Sequence, residues 1–279
     1  MAYRTILVSL NDIKRVEAVL TAAASLQDSQ GAHVVGLYAI PAVQVYPTIG
    51  MEITPDVFEG HRTYFRERAE KVKERFDVLV GREGLSAEFR MIESQSPLVA
   101  DSVIEHGRCA DLIIIPQVDR EAEEGVEMDF DDRVVTEAGR PVMVLPAEGR
   151  PKKFNRVVIG WNSTRMATRA LFDALPLLCE ASQVEVAWVN PQLEPELAGA
   201  LPGAEIAQVL ARHGVKAETV PLPTVAGNNG EALLQRAIDT GADVLVMGAY
   251  EHSRFREFVF GGATRHVLRN APIPVLMSH

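Results

Sequence analysis

The sequence predicts an α/β protein made of two tandem open parallel sheets, each of five strands in the order 3-2-1-4-5 with helices on both faces. Three observations predict it. Short unbroken apolar runs, such as Val244-Leu245-Val246-Met247, lack the polar alternation of a half-exposed strand and suit parallel strands covered on both sides. Such runs alternate with amphipathic helical stretches throughout the chain. Finally, three blocks recur in the same order. Arg4-Thr5-Ile6-Leu7-Val8 is echoed by Asn155-Arg156-Val157-Val158-Ile159, which aligns Asn11 with Asn162. Ala110-Asp111-Leu112-Ile113-Ile114 is echoed by Ala242-Asp243-Val244-Leu245-Val246, and Arg140-Pro141-Val142-Met143-Val144-Leu145 by Ile273-Pro274-Val275-Leu276-Met277. An internal duplication follows, with domains at 1–148 and 154–279 and a linker from Pro146 to Lys153. At 279 residues, each half is long enough to bury its own core.

In order, Thr5 to Leu10 is an apolar strand ending in Asn11-Asp12, Val16 to Leu26 carries a helical apolar stripe, and Val34 to Ile40 is a second strand. A Pro-containing segment, Pro41 to Pro55, leads into a long charged helix from about Val57 to Phe76. A short strand near Glu88 to Met91, a helix from Pro97 to His106, a strand from Leu112 to Ile115, a helix around Phe130 to Ala138 and a strand from Val142 to Leu145 complete the first half. The second half repeats the pattern. After Val244 to Met247 and a basic loop, Val259, Phe260, Ala263, Val267, Leu268 and Ala271 recur at helical spacing, and Pro272 and Pro274 stop that helix before the strand Val275 to Met277.

Composition excludes several classes of function. A net charge of -10 argues against sequence-independent nucleic-acid binding, which needs clustered Lys and Arg to neutralise phosphates. No run reaches the roughly 20 apolar residues of a membrane span, and MAYRTILVSL passes straight into a strand, so a cytoplasmic location without a membrane partner is expected. Cys109 and Cys179 are too few and too distant for a disulfide framework or a metal site, and are expected in the core as small apolar residues. There is no Walker loop, G-x-G-x-x-G or G-x-S-x-G elbow, so no catalytic residue and no metal are assigned.

The chemistry concentrates near the C-terminus. Gly248 follows its strand at once, and Gly261-Gly262 precedes the next helix; a glycine-bearing turn at a helix N-terminus offers backbone N–H groups to an anion. In the order 3-2-1-4-5, strands 1 and 4 are neighbours whose connections leave in opposite directions, and ligands of open α/β sheets bind at that point. In the second half the loops there are Gly160-Trp161-Asn162-Ser163-Thr164 and Gly248 to Gly262.

These residues resemble the universal stress proteins, whose nucleotide-binding members carry G-x2-G-x9-G-[S/T] at this place. Gly248 matches the first glycine and Gly261 the third with the spacing intact, while Glu251 replaces the second glycine and Gly262 the hydroxyl residue. The resemblance covers the chain as two copies. It implies the Rossmann-like universal stress protein fold, a role in stress response and an adenine nucleotide, ATP or AMP, in the second half. The residues it implicates are Gly160, Trp161, Asn162, Ser163 and Thr164, then Val189, whose backbone would meet an adenine, then Gly248, Ala249, Tyr250, Glu251 and His252, and finally Gly261, Gly262, Ala263 and Thr264. Asn162 stands where the family commonly has an Asp, and Ser163 or Thr164 equally suits a helix cap.

The departures predict weak binding. A non-glycine residue at positive φ costs roughly 1–2 kcal/mol, a carboxylate near a phosphate adds roughly 1–4 kcal/mol, and a missing hydroxyl removes about 1 kcal/mol. Thr264 is a substitute hydroxyl, and His252, Arg254, Arg256 and Arg265 are cations that would offset Glu251. The alternative is a nucleotide-independent signalling or interaction module with an unidentified protein partner; slow ATP hydrolysis is the most enzymatic activity expected. The first half has Pro116-Gln117-Val118-Asp119 in place of the motif, and Asp119 to Asp132 holds eight carboxylates against one arginine, a loop that repels a polyphosphate. Members of the family pair through their fifth strands, which implies an intrachain pseudo-dimer and leaves room for a homodimer.

Overall fold

The computed structural model describes residues 2–43, 55–120, 126–148, 153–189, 203–223, 229–250 and 262–279. The first half runs β1 (Thr5–Ser9), α1 (Val16–Gln30), β2 (His33–Ile40), α2 (Pro55–Glu83), β3 (Ala87–Glu93), α3 (Val99–Gly107), β4 (Leu112–Pro116), α4 (Phe130–Glu137) and β5 (Val142–Leu145). The second runs β6 (Arg156–Trp161), α5 (Arg165–Asp173), α6 (Leu175–Leu178), β7 (Gln183–Val189), α7 (Ala204–Arg212), β8 (Ala217–Leu222), α8 (Asn229–Asp239), β9 (Val244–Gly248), α9 (Gly262–Asn270) and β10 (Val275–Ser278). Both α1 and α2 outrun their expected ends. The first continues to Gly31, which turns left-handed at φ 65 and donates its N–H to Gln27 O; the second ends before Gly84, also left-handed.

The sheet order is β3-β2-β1-β4-β5-β10-β9-β6-β7-β8. Each half therefore has the expected 3-2-1-4-5 order, but the two sheets are one: β5 and β10 pair antiparallel, with Met143 opposite Leu276. The physical reason is that β5 and β10 are buried throughout, so an open edge on either would strand backbone donors and acceptors away from water. That pairing also uses up the fifth-strand edge a homodimer would need, leaving β3 and β8 outermost. Pro221 in β8 and Glu88, Arg90 and Glu93 in β3 discourage further strand addition there.

The echoed blocks perform the same task twice. Asp111 Oδ2 accepts from Arg4 N (2.8 Å) and Thr5 N (3.0 Å), and Asp243 Oδ2 accepts from Asn155 N (2.9 Å) and Arg156 N (2.8 Å). Each Asp thereby fixes the start of its half's first strand beside the fourth. The core consists of two layers, one on each face of the whole sheet. Helices α1, α2, α5, α6 and α7 cover one face and α3, α4, α8 and α9 the other. Side chains also cross between halves: Tyr3 Oη donates to Asp173 O (2.8 Å), Gln30 Nε2 to Pro176 O (2.9 Å) and Gln117 Nε2 to Leu268 O (2.6 Å).

One expectation fails. Cys109 and Cys179 are exposed, not in the core, because each follows the last turn of a helix at the rim of the sheet, Cys109 after α3 and Cys179 after α6.

Candidate functional site

Parallel strands send their connections to helices that run back antiparallel, so the carboxyl ends of β6 and β9 face helix N-termini. A cleft of about 240 Å³ opens there. Its walls are the first residues of three helices: Thr164 and Met166 at α5, Asn229 at α8, and Gly262, Ala263 and Thr264 at α9. Gly160, Trp161 and Asn162 from the end of β6, Val189 from β7, and Gly248 and Tyr250 from β9 complete the expected part of the lining. Among the described lining residues none is charged, so the attraction for an anion comes from the three helix ends. A larger hollow, about 420 Å³, lies at the amino ends of β6, β7 and β8 beside Arg156, Gln183 and Lys216. There the helices present their carbonyl ends, which disfavour an anion.

Close packing brings the helix ends together. A Cβ on Gly248 would lie 2.5 Å from Ala167 N and from Met166 C, so this glycine lets the start of α5 rest on β9. Likewise a Cβ on Gly230 would lie 2.6 Å from Ala263 O, so α8 and α9 touch backbone to backbone at their first turns. Gly262 is different: no described residue lies within 4 Å of an added Cβ.

The loops are pinned locally. Thr164 is the cap: its hydroxyl accepts from Ala167 N (3.3 Å) and donates to Asn162 Oδ1 (2.8 Å), which also accepts from Thr164 N (3.3 Å). Ser163, at φ 59, forms the left-handed corner between them and does not line the cleft. Ala249 also lies outside the lining; it is fully buried and its N–H continues the sheet ladder to Ser278 O (2.9 Å). Tyr250 has φ 50, a strained value for a side-chain-bearing residue. Its N–H donates to Thr264 Oγ1 (3.1 Å), and its hydroxyl donates to Asp132 of α4. Burial first, and then the Asp132 carboxylate, push that hydroxyl's pKa upward. The Thr264 hydroxyl expected to serve a ligand is thus 3% exposed and already the acceptor that anchors Tyr250. Glu251, His252, Gly261, Arg254, Arg256 and most of the Pro41 to Pro55 segment lie outside the described residues.

Sequence reasoning missed Met166, Asn229, Leu233 and Met247 as lining residues. For Asn229 there was a signal, since Gly227-Asn228-Asn229-Gly230 directly precedes an apolar-periodic stretch, the mark of a helix start at the same crevice. The others are core-type residues whose contribution depends on packing alone.

In the first half the same positions are filled. Val118, the counterpart of Tyr250, donates its N–H to the side chain of Asp131, which holds the place of Thr264. Asp131 is 1% exposed, 3.0 Å from Asp132 N and 3.8 Å from Arg120. Burial, with the neighbouring Asp132 charge, raises its pKa to about 6.

An open parallel sheet with a helix-ended cleft at its switch point defines a doubly wound α/β protein of the ligand-crevice type. Comparison with known proteins points the same way: residues 154–279 match the model of the universal stress protein family. The chain is 28% identical over 147 residues to the universal stress protein Slr1230 of Synechocystis sp., a stretch covering 52% of this chain and 49% of that one, so it spans about half the length of this curated relative. Among solved structures, a universal stress protein from Archaeoglobus fulgidus DSM 4304 superposes with a TM-score of 0.72 at 15% identity, over 98% of this chain and 97% of the other. The protein PA1789 of Pseudomonas aeruginosa PAO1, described as functionally unknown, does so at 0.62 and 16% identity, over 99% and 92%. At these identities the likeness is one of fold.

Proposed function

We propose that this chain is a two-domain universal stress protein acting in stress response, with domains at 1–148 and 154–279, that binds an adenine nucleotide weakly and only in the second domain. The observation that carries the reading is the convergence of the N-termini of α5, α8 and α9 on one cleft with Val189 at its rim. The described cleft, about 240 Å³, is small beside typical ligand pockets of roughly 300–1,000 Å³. It suits the nucleoside with its first phosphate, the remainder of an ATP chain extending outward. Among the described lining residues phosphate recognition rests on backbone N–H groups, and with Glu251 and Gly262 in place of the glycine and the hydroxyl residue a dissociation constant of roughly 0.1–1 mM is expected.

Calorimetry of the purified chain with AMP, ADP and ATP is the test; no heat of binding at millimolar ligand rejects the reading. A second expectation concerns Gly262. Because an added Cβ meets none of the described residues, Gly262→Ser should leave the melting temperature within about 2 °C while adding a hydroxyl worth about 1 kcal/mol, or roughly fivefold in nucleotide affinity. The double variant Glu251→Gly, Gly262→Ser should gain more, and unchanged affinity would mean these positions are not the obstacle. The alternative, a nucleotide-independent interaction module, is favoured by the filled first domain. A nucleotide co-purifying at about one per chain would count against it.

A further inference from the structure

The crevice of the first half is occupied by the chain itself. The ladder registers place Ala39 of β2 where Val189 of β7 stands in the second half, and Asn11 where Asn162 stands. The two asparagines act differently. Asn162 turns its amide oxygen onto Thr164, within its own loop. Asn11 reaches across to the next strand: its Nδ2 donates to Ala39 O (2.7 Å) and its Oδ1 accepts from Ala39 N (3.0 Å), with the side chain 6% exposed. A carboxamide that both donates to and accepts from one residue's backbone makes the pair of hydrogen bonds that the edge of a planar heterocycle would make there.

The anion position is filled in the same way. α3 occupies the place of α8, and Val99 opens it as Asn229 opens α8. Its preceding residue, Leu98, supplies no side-chain cap. Instead Glu127, from the acidic loop before α4, accepts from Val99 N (3.1 Å) with Oε2 and from Ala100 N (2.6 Å) with Oε1. One carboxylate thus satisfies two first-turn N–H groups and sits on the positive end of the helix, as a bound oxyanion does.

We propose that the first half is a self-liganded copy of the second half's cleft: the Asn11 amide occupies the hydrogen-bonding edge and the Glu127 carboxylate occupies an anion subsite that is latent beneath it. The proposal stands whether or not the second half binds a nucleotide. It makes the acidic loop a tethered anion and not merely a repulsive surface, and it explains how this half stays packed without an external ligand.

The test uses the full chain, thermal melting, and inorganic phosphate as the probe against sodium chloride at matched ionic strength. Glu127→Ala should lower the melting temperature by roughly 2–5 °C. Roughly 20 mM phosphate should then raise it by more than it raises the unaltered protein, because the freed N–H groups accept the ion. Glu127→Gln keeps one acceptor without the charge and should fall between, which preserves the test should the alanine variant fail to fold. Asn11→Ala should also lower the melting temperature but acquire no extra response to phosphate. A Glu127→Ala protein that melts like the original would overturn the proposal. So would a phosphate response equal in all four proteins, which is general salting-out stabilisation and not a vacated subsite.

Discussion

Gly248→Ala is expected to lower stability by roughly 2–3 kcal/mol, a fall of roughly 5–10 °C in melting temperature, and to abolish whatever the second-half cleft binds. The added methyl would lie 2.5 Å from both Ala167 N and Met166 C. These are backbone atoms of the first turn of α5, so no rotamer change relieves the clash; the helix must lift from β9. That movement separates Thr164 and Met166 from the other two helix ends and spreads the N–H groups on which the cleft depends. Gly262→Ala is the control. Its Cβ meets none of the described residues at the start of α9, and replacing a helical glycine there should stabilise slightly, by at most about 1 kcal/mol. Equal melting temperatures for the two alanine variants would mean that α5 does not pack on β9 as described.

Asp131→Asn should stabilise the protein at neutral pH by up to about 3 kcal/mol and leave it unchanged near pH 4. The carboxyl is 1% exposed, and its pKa is pushed up from the ordinary carboxylate range to about 6, first through burial and then through the charge on Asp132. A carboxyl with a raised folded-state pKa binds more protons folded than unfolded. Stability from this group is therefore full below about pH 4 and declines as pH climbs through about 6, above which the folded state carries the whole penalty of a buried charge. Asparagine keeps an oxygen for Val118 N and Asp132 N without that charge. Denaturant unfolding of both proteins from pH 4 to pH 8 provides the check, and parallel profiles across that range would refute the assignment.

The site was legible where its residues are constrained by local chemistry. Ser163 and Thr164 both read as caps before a helix, of which the structure uses Thr164, and Gly248 marks the abrupt end of an apolar strand; these stand where the repeat and the 3-2-1-4-5 order require a crevice. What Gly248 does was not legible. Spacing suggests a glycine that bares its amide, whereas the helix lying against it needs a missing side chain. Thr264 has a second task for a similar reason: it lines the cleft as its position in the sequence suggests, but only tertiary packing places its hydroxyl where it accepts from Tyr250 N. The acidic stretch before α4 likewise reads as solvated charge, and nothing local to Glu127 indicates that Val99 N and Ala100 N lie within its reach.

From sequence alone come the strands, the helices, the duplication and the end of the sheet at which a ligand would lie. All of these rest on short-range patterns: apolar runs, helical periodicity, glycines, and blocks that recur in order. Tertiary structure alone decided the register in which β5 meets β10, that Asn11 reaches across to Ala39 while the Asn162 amide oxygen turns onto Thr164, and that Glu127 comes to rest on the first turn of α3. Those outcomes depend on contacts between residues far apart in the chain, where a difference of a few ångströms determines whether an N–H group meets a carboxylate or remains available, and no local pattern encodes that distance.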